Sequence, residues 1–196
     1  MTNKVMINVN HLYKKYKDVT AVNDLSLSIY EGELFSLLGV NGAGKSTFLK
    51  MLSCLVLPTS GEVTINGLDI NKSRDDIKEI IAISTQETSI SNNLTVKENL
   101  EFYASLVDEK SDSRKERISD IVKKFHLENY LNKKAKKLSG GWQRKLSIAL
   151  ALVNKPKILF LDEPTLGLDV ISRRELWNII NSLKKDMTII LTTHYL

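Results

Sequence analysis

The stretch Gly39-Val40-Asn41-Gly42-Ala43-Gly44-Lys45-Ser46 constrains this chain more than any other. It matches G-x-x-x-x-G-K-[ST], in which glycines let the backbone wrap an anion while several N–H groups converge at a helix N-terminus. Lys45 is then placed to reach two phosphates of a nucleotide, and the hydroxyl of Ser46, followed by Thr47, to serve a Mg²⁺ ion. With average residue usage, a chance match in a chain this long arises about once in a hundred. The loop also requires a strand before it and a helix after it. Leu34-Phe35-Ser36-Leu37-Leu38, a nearly unbroken apolar run, predicts a buried parallel strand, and Phe48, Leu49 and Leu52 begin a helical period from Lys45.

Around this loop the chain alternates strand and helix patterns. Val5-Met6-Ile7-Asn8-Val9 and Leu25-Ser26-Leu27-Ser28-Ile29 read as strands of an antiparallel layer, with a turn at Glu31-Gly32. Val63-Thr64-Ile65 is a further strand closing at Asn66-Gly67, and Ile80-Ile81-Ala82-Ile83 a short buried one running into Gln86. From Thr95 to Tyr130 the period becomes helical, with a polar, exposed connection expected over Asp108 to Arg117. Thr95 and Glu98 have the spacing of a capping box. A helix follows from Gly141 through Val153, then the apolar strand Ile158-Leu159-Phe160-Leu161. An amphipathic helix from Ser172 to Leu183 turns Leu176, Ile179, Ile180 and Leu183 inward, and Met187 to Thr192 forms another central strand. The expected fold is α/β: a P-loop NTPase core with a mostly parallel sheet, an N-terminal antiparallel β layer and an inserted helical subdomain. Residues 1–87 and 155–196 are assigned to the core and 88–154 to the helical part.

Asp162-Glu163 follows directly on the strand ending at Leu161. Carboxylates at the C-terminal end of a central strand lie where α/β folds bind ligands. Asp162 is suited to hold Mg²⁺, and Glu163 to polarise the water that attacks a terminal phosphate. To this point the chain reads as a P-loop nucleotidase of unspecified kind.

Leu138-Ser139-Gly140-Gly141 narrows that class. It resembles the signature sequence of the ATP-binding-cassette (ABC) ATPases, and further landmarks occur in the family's order. Tyr16 stands where the family keeps an aromatic that stacks on adenine. Gln86 matches the Q-loop glutamine, Pro164-Thr165-Leu166-Gly167-Leu168-Asp169 looks like the D-loop, and His194 like the switch histidine. The resemblance covers essentially the whole chain. It implies that ATP and Mg²⁺ are bound, with Gln86 coordinating the metal or the attacking water and His194 contacting the γ-phosphate. It also implies head-to-tail dimerisation, in which Ser139, Gly140 and Gly141 close over a phosphate held by the other subunit, identical or not. Asp169 would help organise that interface, and is equally placed to cap the helix from Ser172. A transmembrane permease subunit is the implied partner, met near Gln86 to Asn99, and no nucleic acid is expected.

Two departures stand out. Trp142 occupies a position where many members have glutamine, a variation seen among bacterial exporters of drugs, antibiotic peptides or ions and a related lipid-handling group; Asp169 to Trp177 resembles the same subgroup. The sequence also stops at Leu196, two residues past His194, where relatives continue. The expectation is therefore ATP binding with poor turnover by the isolated chain. The formal charge of +5 suits polyphosphates, nucleic acid or an anionic membrane without choosing among them. Cys54, the sole cysteine, reads as a small core residue, and Lys133-Lys134 with Lys136-Lys137 as a solvated loop. Met1 to Met6 lacks the apolar segment of a secretory signal, and no apolar run approaches membrane-spanning length. The expected location is cytoplasmic, peripheral on the inner face of the cell membrane.

Overall fold

The computed structural model describes residues 4–106 and 111–194. They fall into two compact units, one comprising Met1–Ile83, Pro156–Glu163 and Lys184–Leu196, the other Ser84–Lys155 and Pro164–Leu183.

The first unit holds two sheets. In the antiparallel one, β1 (Val5–Tyr16) lies between β2 (Val19–Tyr30) and β4 (Ser60–Ile65), with β5 (Leu68–Asp69) at the far edge. The alternation seen in the sequence sets the register: Ile7 faces Ile29, and Val9 faces Leu27. The strands run further than those short repeats suggest because the ladder continues through irregularities around Val9 to Lys15. There His11 and, on β2, Asp24 take left-handed backbone angles, φ 48° and 49°. Asn66 and Gly67, φ 50° and 80°, make the tight turn from β4 to β5.

The parallel sheet has the order β3 (Leu34–Leu38), β8 (Thr188–Thr193), β7 (Ile158–Leu161), β6 (Ile81–Ser84). β7 and β8 are buried along their whole length, which is why both read as unbroken apolar or β-branched runs. The expectation of a buried strand fails for β3. As the edge strand it is only half covered, and Leu38 is 51% exposed. Helix α1 (Lys45–Leu52) turns Phe48, Leu49, Met51 and Leu52 inward. They share one apolar cluster with Ile7, Val9, Leu12 and Ile65 of the antiparallel sheet and with Ile158, Phe160 and Ile190 of the parallel one. Cys54 is part of it, and burial pushes its thiol pKa up. Helix α2 (Arg74–Ile80) has no counterpart in the sequence reading; it is seven residues long and buries Ile77 alone.

The second unit is helical. α3 (Val96–Ser105), α4 (Ser111–Lys124) and α5 (Gly140–Leu152) pack on one another, and α6 (Val170–Leu183) packs on α5. Thr95 and Glu98 form the expected capping box: the Glu98 amide donates to Thr95 Oγ1 at 3.2 Å, and the Thr95 amide to Glu98 Oε2 at 2.7 Å. The expected exposed connection is overturned from Ser111 onward, where the chain is helical; Asp108, Glu109 and Lys110 lie outside the described residues. Arg, Lys and Glu are strong helix formers, and Ile121 and Val122 supply the buried stripe a turn later. The lysine-rich segment exposes its four ammonium groups, but its backbone is tied down. Ala135 N–H donates to Leu94 O at 2.9 Å, and Val96 N–H to Lys133 O at 3.0 Å. In α6 the four residues expected to face inward are the four that are buried.

Gly61, at the start of β4, has φ +94°, and a Cβ there would overlap the backbone carbonyl of His11 on β1. Gly61→Ala is therefore expected to destabilise the protein by about 2 kcal/mol or more. A chemical-denaturation curve with an unchanged midpoint would contradict this.

Candidate active site

Strand β3 delivers the chain into the glycine loop, and α1 takes it out. Gly44 makes that junction possible: its φ is +83°, and a Cβ would drive into the carbonyl oxygen of Ala21 on β2. α1 opens with no side-chain cap and no acidic residue in its first turn. Its leading amides and the positive end of its dipole are thus available to an anion. A cavity beside the loop is lined by Thr20, Ala21, Val22, Ala43, Gly44 and Lys45 among others. Tyr16, at the end of β1, is 43% exposed, with the Lys14 ammonium 4.8 Å from its ring centre.

Lys45 Nζ donates to the carbonyls of Gly39 at 2.6 Å and Val40 at 3.0 Å. His194, just past β8, sits between the loop and the acidic pair. Its Nδ1 is 2.9 Å from Gly39 O, a donor geometry for that nitrogen, and its Nε2 is 3.0 Å from Glu163 Oε1. That second contact has the distance of an ion pair without the alignment of a hydrogen bond, so Glu163 Oε1 remains buried and without a donor. Ser46 Oγ donates to Asp162 Oδ1 at 3.1 Å. Asp162 and Glu163 are both buried, and Glu163 has a left-handed backbone, φ 48°.

The first unit thus gathers Gly39 to Thr47, Asp162, Glu163 and His194 into one site. A hydroxyl and a carboxylate side by side, next to a phosphate cradle, suit Mg²⁺, which takes few protein oxygens and completes its shell with phosphate and water. No cluster of three or more His, Cys, Asp or Glu residues that could cage a metal occurs among the described residues.

The remaining candidates lie in the second unit. Ser139 and Gly140 are exposed at the start of α5, which again has neither a side-chain cap nor a first-turn acid. Gly141 is buried; a Cβ there would lie 2.6 Å from Ser172 Oγ of α6. Asp169 caps α6, accepting from the amides of Ile171 at 3.0 Å and Ser172 at 2.9 Å. The side chain of Gln86 is exposed. Two residues unremarked in the sequence organise this unit. Arg144, nearly buried, donates to Pro164 O at 3.0 Å and Thr85 O at 2.5 Å, so one guanidinium joins α5 to the backbone beside Gln86 and to the start of the Pro164 to Asp169 loop. Lys145 pairs with Glu175 at 2.6 Å and lies 4.0 Å from the ring centre of Trp142, which itself packs on Tyr130. Trp142 therefore spends its area on lateral packing. A lone Arg or Lys inside a helix carries no spacing signal that could have marked either residue.

Residues 22–166 match the protein-family model described as ABC transporter. The chain is 43% identical over 194 residues to human "Phospholipid-transporting ATPase ABCA3", covering 97% of this chain and 11% of that protein. It is 37% identical to "Probable multidrug ABC transporter ATP-binding protein YbhF" of Escherichia coli K12, covering 98% of this chain and 34% of that one. Among solved structures, cbiO1 from Clostridium perfringens, part of the ABC transporter complex cbiONQ, superposes with a TM-score of 0.91 at 30% identity, covering 98% of this chain and 79% of that one. The ADP- and Pi-bound dimer of the ATP-binding cassette MJ0796 superposes with a TM-score of 0.85 at 31% identity, over 97% and 88%. The chain thus spans only a tenth to a third of the two curated relatives named.

The hydrogen bonds from Ser172, side chain first and then backbone, hold the Asp169 carboxyl below the ordinary Asp value of 3.8. A depressed carboxyl pKa means that the cap is fully present above that value and lost as pH falls through the lower, folded-state value. NMR titration of the Asp169 carboxyl carbon should give a midpoint below 3.8, and Asp169→Ala should loosen the first turn of α6, read as faster exchange of the Ser172 amide.

Proposed function

The chain belongs to the ABC transporter ATP-binding family, and from that premise we propose that it is the cassette that powers a membrane exporter. It is an ATP-binding and ATP-hydrolysing domain. The observation that carries the reading of its site is the convergence of the uncapped α1, Lys45, the Ser46–Asp162 pair and the Glu163–His194 pair in one unit. On binding ATP, the loop amides receive the phosphates and Lys45 exchanges the carbonyls of Gly39 and Val40 for phosphate oxygens. Ser46 and Asp162 would hold Mg²⁺, with Gln86 as a further ligand; bound there, the ion neutralises phosphate charge. Glu163 takes the proton of the attacking water, its buried Oε1 accepting no hydrogen bond and lying 3.0 Å from the His194 ring. His194 orients Glu163 and contacts the γ-phosphate, and Tyr16 stacks on the adenine.

Two cassettes, identical or different, act head to tail. Ser139, Gly140 and the uncapped end of α5 close over the γ-phosphate in the other subunit, with Asp169 at the interface. The dimeric state of MJ0796 supports this arrangement. The helical lobe, residues 88–154, carries the contact with a transmembrane permease, near Gln86 to Asn99, and closure of the dimer pulls on that partner. No helix among the described residues is long and apolar enough to cross a membrane, which suits a cassette held at the inner membrane face by its partner. Export is favoured by the Trp142 and Asp169 to Trp177 resemblance and by the drug- and phospholipid-transporter names of the relatives. The other reading, an ABC ATPase acting on ribosomes or DNA, draws no support from relatives named as transporters.

Lys45→Ala is expected to abolish ATP affinity; unchanged binding of a fluorescent ATP analogue would remove the phosphate-cradle reading. Glu163→Gln should bind ATP normally, accumulate an ATP-dependent dimer in size-exclusion chromatography and hydrolyse roughly a hundredfold or more slowly. Turnover at the parent rate would assign the base to another residue.

A further inference from the structure

Strand β8 places one more side chain against the acidic pair. Thr192 is fully buried; its Oγ1–H donates to Asp162 Oδ1 at 2.6 Å, and the same oxygen accepts the backbone N–H of Glu163 at 2.9 Å. Glu163 lies beyond the end of β7 at Leu161 and carries the left-handed φ of 48°. For a glutamate this conformation carries a steric cost that surrounding contacts must offset. Here the constraint is visible: the hydroxyl receives the amide of the residue whose backbone is turned. A donor and an acceptor are both required within one small volume, and a hydroxyl supplies both.

We propose that Thr192 is a positioning residue for ATP hydrolysis, its hydroxyl fixing the Asp162 carboxylate while holding the Glu163 backbone in the turn that presents its side chain to His194. The inference rests on the roles given above to Asp162 and Glu163. β-Branching alone would account for a threonine in a central strand, but valine meets that need equally well. The hydroxyl is the part the strand does not require, and both of its hydrogen bonds go to the acidic pair. Ser46 and Thr192 share Asp162 Oδ1, so Thr192 keeps that oxygen in place when the Ser46 hydroxyl turns to the metal.

The test compares T192V, which keeps the shape and removes the hydroxyl, with T192S, which keeps the hydroxyl. ATP affinity is measured in EDTA and in Mg²⁺, and exchange of the Glu163 amide is followed by NMR; D162N serves as control. T192V should bind ATP in EDTA within about twofold of the parent, lose about tenfold of the affinity gained with Mg²⁺, and exchange the Glu163 amide faster, since hydrogen bonds to charged groups are worth that much. T192S should match the parent in all three. Parent-like Mg²⁺ dependence and amide protection in T192V would overturn the proposal, as would T192S being impaired as severely as T192V, which would make shape the determinant. If D162N keeps the full Mg²⁺ gain, the role given to Asp162 fails and the proposal falls with it; if D162N loses the gain while T192V keeps it, only the Thr192 inference fails. Should T192V not fold, T192C, which fits the space but is a poor hydrogen-bonding partner, takes its place in the same comparison.

Discussion

The first turn of α1 concentrates backbone amides and the positive end of a helix dipole at a point where no side chain answers them. Several elements of the first unit bear on that exposed field. The strand that leads to it is pinned to β8, and the helix that leaves it is anchored by four apolar side chains in the common core. Gly44 removes the one Cβ that would hold the loop away from β2. The ammonium of Lys45 rests on two carbonyls of the loop itself. Elsewhere α3 is closed by Thr95 and α6 by Asp169, and α2, which has no side-chain cap either, carries Asp75 and Asp76 in its first turn. α1 and α5 have neither a side-chain cap nor a first-turn acid, and both begin at glycine motifs.

Much of this was legible in the sequence, for a physical reason. β7 and β8 are covered on both faces, so burial writes itself as an uninterrupted run; α6 is covered on one face, so burial writes itself as a helical period. The glycine loop was legible because its spacing matches a phosphate-binding motif, and Gly44 within it is also demanded by the close approach of the Ala21 carbonyl. What escaped the reading lacked such a signature. α2 is too short to show a period, and the start of α4 is too charged to reveal an inward face. β3 looks like a central strand because its composition is apolar, yet position in the sheet and not composition decides how much of it is covered. Thr192 and Arg144 each make at least two hydrogen bonds, to backbone and carboxylate atoms, and these leave no mark on residue spacing.

The second unit shows how buried cations can organise backbone. A guanidinium taken out of water is tolerated only when its N–H groups find acceptors, and Arg144 finds them on two separate loops. The buried Lys145 is matched by the carboxylate of Glu175 and the face of Trp142. Removing one member of such a set leaves a stranded charge, which costs more than the pair contributes. The first turns of α5 are thereby held by Arg144 to the two loops and by Lys145 and Trp142 to α6 and Tyr130.

The turned backbone at Glu163 has a consequence for which residues this position can hold. A left-handed φ costs a glutamate about 1 kcal/mol, whereas glycine or asparagine would sit there at little cost. Neither offers a carboxylate on a two-carbon arm. Local comfort and chemical reach therefore pull position 163 in opposite directions, and a chain drifting free of its chemistry would be expected to surrender the acid here before it surrendered the turn.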